Sequence, residues 1–568
     1  METELLKKST GLVLSLFIEL LTCSGQNYQW AKSIGGILYE NSMDIALDNE
    51  GNIYACGQFE GTIDFDPGPG VSNLTSKGFT DIFVLKLDSA GNFLWAKSMG
   101  GSSNDIGSSI ALDDSANICI TGYFSDTVDF DPGPGISNLT SIGFSDIFVL
   151  KLDSSGNFLW ARGMGGSSYE VGISIGLEST GNIYVAGHFF GTADFDPGPE
   201  TNNLISLGSA DIFILKLNSS GNFIWAKSMG GGAYVSVSDM SVDGFGNVHT
   251  IGSFSNEIDL DPGVGTSILT ALDADDIYIS KLDSSGNYLW AVGIGGFYPD
   301  YGTSIAVDNS GNVFATGLYE NSVDFDPGLE TFYLVSYGRT RDIFILKLDV
   351  DGNFVWAKSI GGNDSDSGAS IAVDGSNNLY VNGSFSWTVD FDPGDEISNL
   401  ISNGLSDIFI LKLDSLGNFV WAKGVGGTSS DGSNNIALDG NGNVYTTGTY
   451  REIVDFDPGE GVSDFTSEGS TDMYILKLGP TIMAVLENSF ENGLTIYPNP
   501  TSSIINLDMG TSYDELYIVI RNQLGQEVLE KSFSGANPLQ FNIEGTAGIY
   551  FIEISSGNKR ATLKIVKE

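Results

Sequence analysis

Fourteen aspartates fall into seven pairs, each pair two residues apart and followed by Pro-Gly: Asp64 and Asp66, Asp129 and Asp131, Asp194 and Asp196, Asp259 and Asp261, Asp324 and Asp326, Asp390 and Asp392, Asp455 and Asp457. In extended backbone such residues point the same way. Each pair therefore offers hard oxygens together, and with turn carbonyls nearby these could hold calcium, the one candidate cofactor. The competing reading is structural: the second Asp opens a Pro-Gly turn, as in Asp66-Pro67-Gly68, and the first faces solvent. No Asp-x-Asp-x-Asp-Gly loop accompanies the pairs, and a dedicated calcium site takes about 6 to 8 oxygens.

A second set of positions differs between otherwise similar copies: Gln58, Tyr123, His188, Ser253, Leu318, Ser384 and Thr449. Loops that follow Gly-Gly carry Tyr39, Tyr169, Tyr234, Tyr298 and Tyr301. A ring of varied polar and aromatic side chains has the look of a recognition face, although unselected drift of loops gives the same pattern. Catalysis has little to rest on. His188 and His249 are the two histidines, His249 sits where a packed side chain is expected, and no nucleophile-and-base spacing, zinc cluster or phosphate loop appears. No catalytic residue is assigned, while a glycosidase-type carboxylate pair stays open in a chain with 72 acidic residues. Trp387 and Arg451 are the conspicuous singletons.

The elements that position these residues repeat. Trp-Ala recurs at Trp30, Trp95, Trp160, Trp225, Trp290, Trp356 and Trp421, a period of about 65 residues that marks one supersecondary unit used seven times. Within a unit the apolar residues alternate with period two, which predicts strands. Four are expected in the first full unit, at 45–48, 53–59, 81–87 and 93–99. The centre of the first strand is always small (Ala46, Ala111, Gly176, Ser241, Ala306, Ala372, Ala437), as strands converging on one axis require. If Asp88 pairs with Asn92, Leu85 lies opposite Trp95, and truncating that indole to Ala would cost about 3 to 5 kcal/mol. The chain opens with an orphan fourth strand, 28–34, and its last unit stops after a third, 472–478. The expected architecture is all-β, a seven-bladed β-propeller over 26–478 in which the N-terminal strand completes the last blade. Neighbouring blades meet through opposite faces, so Cys56 and Cys119, on the same face of successive sheets, should stay unjoined.

These units, Ile-Ala-Leu-Asp48, Gly-Asn-Ile-Tyr54 and Asp81-Ile-Phe-Val-Leu-Lys-Leu-Asp88 among them, resemble the bacterial seven-bladed propeller repeats labelled SBBP. The departure is an insertion of about twenty residues between second and third strands, which carries the aspartate pairs and is expected beside the loops joining successive blades.

After a linker at 479–493 the pattern changes. Short strands near 504–507, 516–520, 528–533, 539–543, 549–554 and 561–566 predict a small Ig-like β-sandwich over 494–568. Tyr497-Pro498-Asn499-Pro500, Gly548-Ile-Tyr550 and Lys564-Ile-Val-Lys567 resemble the type A C-terminal sorting domain of the type IX secretion system. That resemblance implies a Gram-negative bacterium, recognition by the outer-membrane translocon, and a mature protein that is released or attached at the cell surface. Residues 1–25 fit a secretory signal peptide, with Lys7 and Lys8, an apolar run to Leu21 and small residues before Gln26. No later stretch is apolar for the roughly 20 residues a membrane helix needs. A formal charge of −47 repels polyphosphate, so nucleic acid is not an expected partner. The leading expectation is a non-catalytic secreted or surface propeller binding a carbohydrate or protein; the rival is an extracellular polysaccharide hydrolase or lyase using face carboxylates.

Overall fold

A computed structural model describes residues 26–480, 490, 494–497, 501, 504–513, 515–522, 527–534, 538–543, 548–557 and 559–567. The expected leader, most of the linker and the motif residues Pro498, Asn499 and Pro500 lie outside the described residues. The chain divides after Pro480 into two compact units.

The first unit is built from seven four-stranded antiparallel sheets, two of them extended by a short hairpin. The first sheet runs Glu40–Leu47, Ile53–Asp64, Asn73–Leu87 and Phe93–Met99. In the last, Gly432–Leu438, Val444–Tyr450 and Asp472–Pro480 take their outer partner from the start of the chain, Gln26–Ile34. Gln26 pairs with Pro480 and Ile34 with Met473, so the last third strand runs two residues past its expected end. First strands neighbour one another all the way round, and Gly432–Leu438 returns to Glu40–Leu47. This is consistent with a β-propeller whose sheets are its blades. The small central residue has its reason at Gly176, where an added Cβ would lie 2.8 Å from Val242 of the next blade.

Aliphatic cores between consecutive blades hold the ring together. Tyr54, Cys56, Ile82 and Val84 meet Ile110, Ile120, Phe148 and Leu150. Cys119 sits in the following core, with Ile147 and Ile183. Each thiol is buried and free, in a separate core. Turns are held by their first carboxylate: Asp48 Oδ1 accepts the N–H groups of Glu50 and Asn52, and Asn52 Nδ2 donates to Oδ2 at 2.8 Å. Gly51 supplies the positive φ of 79° that this hairpin needs.

One expected register is overturned. Asp88 does pair with Asn92, but a β-bulge follows at Lys86/Leu87, so Trp95 lies opposite Lys86 and Leu85 lies opposite Ala96. The bulge recurs in all six other blades, the last included, where Trp30 lies opposite Lys477. It turns the indole onto the other face of the sheet, where Trp95 meets Tyr54 edge-on at 6.4 Å and lies against Gly156 in the outer hairpin of the next blade. The tryptophans therefore lie at seams between blades, on the Val84 face of the third strand and not the Leu85 face.

The second unit has a three-stranded sheet, Thr495–Tyr497, Ile504–Asp508 and Leu539–Asn542, and a four-stranded one, Glu527–Phe533, Leu516–Asn522, Gly548–Ser556 and Lys559–Lys567. They share a core that includes Ile505, Leu507, Ile518, Phe541, Ile552 and Ile565.

Candidate functional site

The insertions form three-residue hairpins such as Thr127–Asp129 with Asn138–Thr140. Each rests against the Gly-Gly connection from the preceding blade: Gly100 bridges Asp129, Gly230 bridges Asp259 and Gly361 bridges Asp390. In two places the hairpin lengthens the preceding fourth strand outright, Gly165 pairing with Asp194 and Gly426 with Asp455. Insertions and inter-blade loops thus share one face. The phenylalanine between the aspartates anchors the arrangement; Phe65 is buried and packs 5.2 Å from both Phe59 and Phe83.

Both members of each aspartate pair are half-buried loop closers. Asp64 Oδ1 accepts N–H bonds from Asp66 at 3.1 Å and Ser72 at 2.7 Å, and Asp66 Oδ1 accepts that of Gly68 at 2.8 Å. The same three bonds recur at Asp129 and Asp131, Asp194 and Asp196, Asp259 and Asp261, Asp324 and Asp326, Asp390 and Asp392, and Asp455 and Asp457. The first aspartate therefore ties the loop shut across eight residues and does not simply face water. Among the described residues no group of three or more His, Cys, Asp and Glu side chains is placed to hold a metal ion.

The variable ring lies one residue per blade, opposite the start of each first strand: Gln58 faces Asn41, Tyr123 faces Ile106, His188 faces Val171 and Thr449 faces Gly432. Leu318 and Ser384 occupy the matching places. Ser253, only 7% exposed, bonds to Ser236 and is closed to a ligand. The others are half-buried, and burial lowers the pKa of His188. The open chemistry of this face lies farther out, in Tyr39, Tyr169, Tyr234 and Tyr298 and in a stacked pair, Phe144 on Tyr169 with centroids 4.7 Å apart.

Trp387 opens the sixth insertion with its side chain 70% exposed and its backbone at φ +60°. The equivalent left-handed position is Gly61, Asp126, Gly191, Asn256, Asn321 or Glu452 in the other copies. An indole there works against backbone preference by about 1 to 2 kcal/mol.

His249 is fully buried, both ring nitrogens lack partners, and burial with nearby Lys281 pushes its pKa down to about 4. It packs edge-on against Trp290 at 6.3 Å, as Tyr54 does on Trp95. The tyrosines at this position give their hydroxyl to the turn carboxylate, Tyr54 to Asp48 and Tyr445 to Asp439. His249→Tyr should restore that bond to Asp243 and raise stability by about 1 kcal/mol, read as a higher denaturant midpoint.

In the C-terminal unit Tyr497 is partly exposed, Tyr550 is buried and Lys567 donates to the carbonyl of Ile543 at 2.9 Å. Gly548 and Lys564 lie on its last two strands.

The chain is 26% identical over 506 residues, 74% of its length, to an uncharacterized WD repeat-containing protein of Acanthamoeba polyphaga mimivirus. It is 24% identical over 241 residues, 41% of its length, to the regulatory protein FlaEY of Caulobacter vibrioides. It spans 36% and 24% of those relatives. The first likeness fits a repeat scaffold. No helix among the described residues is long and apolar enough to cross a membrane. Residues 495–568 match the secretion system C-terminal sorting domain, which marks this as a protein secreted by the type IX system or attached at the outer surface of bacteria that possess it.

Proposed function

We propose that residues 26–480 form a closed seven-bladed propeller of the SBBP kind that works outside the cell as a non-catalytic binding module. It takes a carbohydrate or protein ligand on the face that carries the insertions. The Ig-like C-terminal unit delivers it to the outer-membrane translocon. The observation behind the binding role is Trp387: strain held at an exposed position is the mark of a residue kept for contact, and an indole is suited to stacking on a sugar ring or filling a partner's pocket. The paired loop carboxylates are read as closers of this face, and their remaining oxygens are the candidate ligands for calcium. Acids with raised pKa, such as Asp105 and Asp300, are buried at blade junctions, where no polysaccharide reaches them.

Replacing Trp387 with Gly separates binding from folding. W387G should weaken capture on a glycan array or by an extracellular protein partner at least tenfold while raising stability by about 1 kcal/mol through relief of the left-handed strain. Unchanged capture would remove Trp387 from the ligand face. Turnover of a polysaccharide, lost on changing one carboxylate pair, would replace the binding reading with an enzymatic one.

A further inference from the structure

The third strand of every blade starts from a buried aspartate: Asp81, Asp146, Asp211, Asp276, Asp342, Asp407 and Asp472 are each at most 4% exposed. One oxygen, Oδ2, accepts a backbone N–H, from Lys77 to Asp81 at 3.1 Å and likewise in the other six. The other oxygen, Oδ1, is buried without a hydrogen-bond partner in all but Asp211. A second carboxylate begins the first strand of the next blade: Glu40, Asp105, Glu170, Asp300, Asp366 and Asp431, each at most 2% exposed.

Consecutive glycines bring the two acids together. A Cβ on Gly100 would fall 2.1 Å from Asp81 Cγ, while Gly101 N–H donates to Asp105 Oδ2 at 2.7 Å. The same pairing joins Asp472 with Glu40, Asp146 with Glu170, Asp276 with Asp300, Asp342 with Asp366 and Asp407 with Asp431. The seventh junction breaks the pattern informatively. There Val235 stands in place of the first-strand acid, and the N–H of Gly231 goes to Asp211 Oδ1 at 3.3 Å. At the other six junctions the glycine N–H goes to the second carboxylate and Oδ1 is left bare, as is Oε1 of Glu40 and of Glu170.

Two buried carboxylates converging on one turn cannot both stay ionised without a charge between them. Calcium would need about 6 to 8 oxygens; two carboxylates bring four, and among the described residues no group of three or more His, Cys, Asp and Glu side chains is placed to hold a metal ion. A proton needs two oxygens. We propose that each of the six junctions holds one proton shared by its carboxyl pair, carried on Oδ1 of the third-strand aspartate and donated to the first-strand carboxylate.

The electrostatics agree. Burial raises Glu40, Asp105, Glu170, Asp300 and Asp366 to about 7, and Asp472, Asp81, Asp146 and Asp276 respectively add to the first four. Burial also raises Asp342 to about 7, with Asp366 adding, and Asp146, Asp276, Asp407 and Asp472 to about 6; Asp81 and Asp431 move the same way. The remaining charges that face these pairs are mostly acidic as well: Glu60 and Glu468 at Glu40, Asp126 at Asp105, Glu320 at Asp300, Asp275 at Asp276, Asp364 at Asp366 and Glu452 at Asp431. Lys77 at Asp81 and Arg451 at Asp431 oppose them. With folded values raised above unfolded ones, this stabilisation is complete below about pH 4 and is lost as pH rises through about 7. Turn carboxylates act oppositely: burial raises Asp48, but hydrogen bonds from Asn52 and Glu50 outweigh it and leave its pKa lowered, so its contribution disappears as pH falls.

All eight tryptophans lie between residues 30 and 421, so indole emission reports on the propeller alone in the full chain. The expected result is a melting temperature that falls between about pH 5 and pH 8. Asp146→Asn, whose amide N–H replaces the shared proton, should shrink that fall, and adding D276N and D342N should shrink it about threefold more; the buried Asp44, Asp239 and Asp211, also raised, keep part of the fall in every variant. D211N, at the junction without a partner acid, removes an aspartate raised by burial alone and should shrink the fall by less than D146N does. An equal effect of D211N and D146N on the fall would overturn the proposal. So would a melting temperature at about pH 8 that drops on chelation and returns with calcium, which would put a cation in the pair. Should the variants not fold, the wild-type chain decides: an infrared carbonyl band of protonated carboxyl groups persisting at about pH 6 supports the shared proton, and its absence overturns it.

Discussion

Deleting Gln26–Ile34 should cost the propeller its cooperative fold. Those nine residues are the outer strand of the last blade, and they bury Ala31 and Ile34. Losing the Ile34 contact alone is worth about 2 to 5 kcal/mol, against a net stability of about 5 to 15 kcal/mol for a typical domain. The deletion also bares Asp472–Pro480 as an open edge, a template for pairing with another chain. The truncated protein should therefore elute as soluble oligomers or aggregate on size exclusion and lose the sharp tryptophan-emission melt. Moving residues 26–34 behind Leu478, through an Asp-Ser-Ala-Gly-Asn loop of the kind at Asp88 to Asn92, should restore a monomer, because the last blade would then be built like the first. A deletion variant that melts like the wild type would mean the ring does not depend on this seam.

The repeated sheets could be anticipated from sequence because seven copies average out the ambiguity of any single strand, and the pairing of Gln26–Ile34 with Asp472–Pro480 because the orphan strands at 28–34 and 472–478 name their partner by what each lacks. The bulge at Lys86/Leu87 was not legible. It adds one residue with no Gly or Pro to mark it, and a one-residue slip is enough to send Trp95 to the other face. In the loops, the Asp64 and Asp66 spacing showed two carboxylates on one side but not their acceptor bonds, since backbone N–H direction depends on turn geometry that composition does not carry. The buried acids were hidden by number: among 72 acidic residues, Asp81 reads as the polar start of an apolar strand. The available signal was an acid at that position in all seven copies, answered by an acid after Gly-Gly in six, with Val235 as the exception.

Trp421→Ala should be the most damaging of the indole truncations. Its sisters at Trp30, Trp160, Trp225, Trp290 and Trp356 each lie against the outer-hairpin glycine of the next blade and stay partly exposed. Trp421 faces the seventh blade, where no covalent hairpin joins the third strand to its N-terminal partner. It is 6% exposed, packed in one core with Ala31, Val444 and Leu478 and edge-on to Tyr380 at 6.1 Å. Removing so buried a ring leaves a cavity in that core, so W421A should cost about 3 to 5 kcal/mol. W95A, which removes a half-buried ring from a covalently closed seam, should cost about half as much. Both are read as shifts in denaturant midpoint at constant slope. If the loss at Trp421 comes from opening the seam, W421A should also share interaction energy with a weakened N-terminal strand: I34A and W421A together would cost less than the sum of the two. Strict additivity would place the indole in a core that holds whether or not the ring is closed.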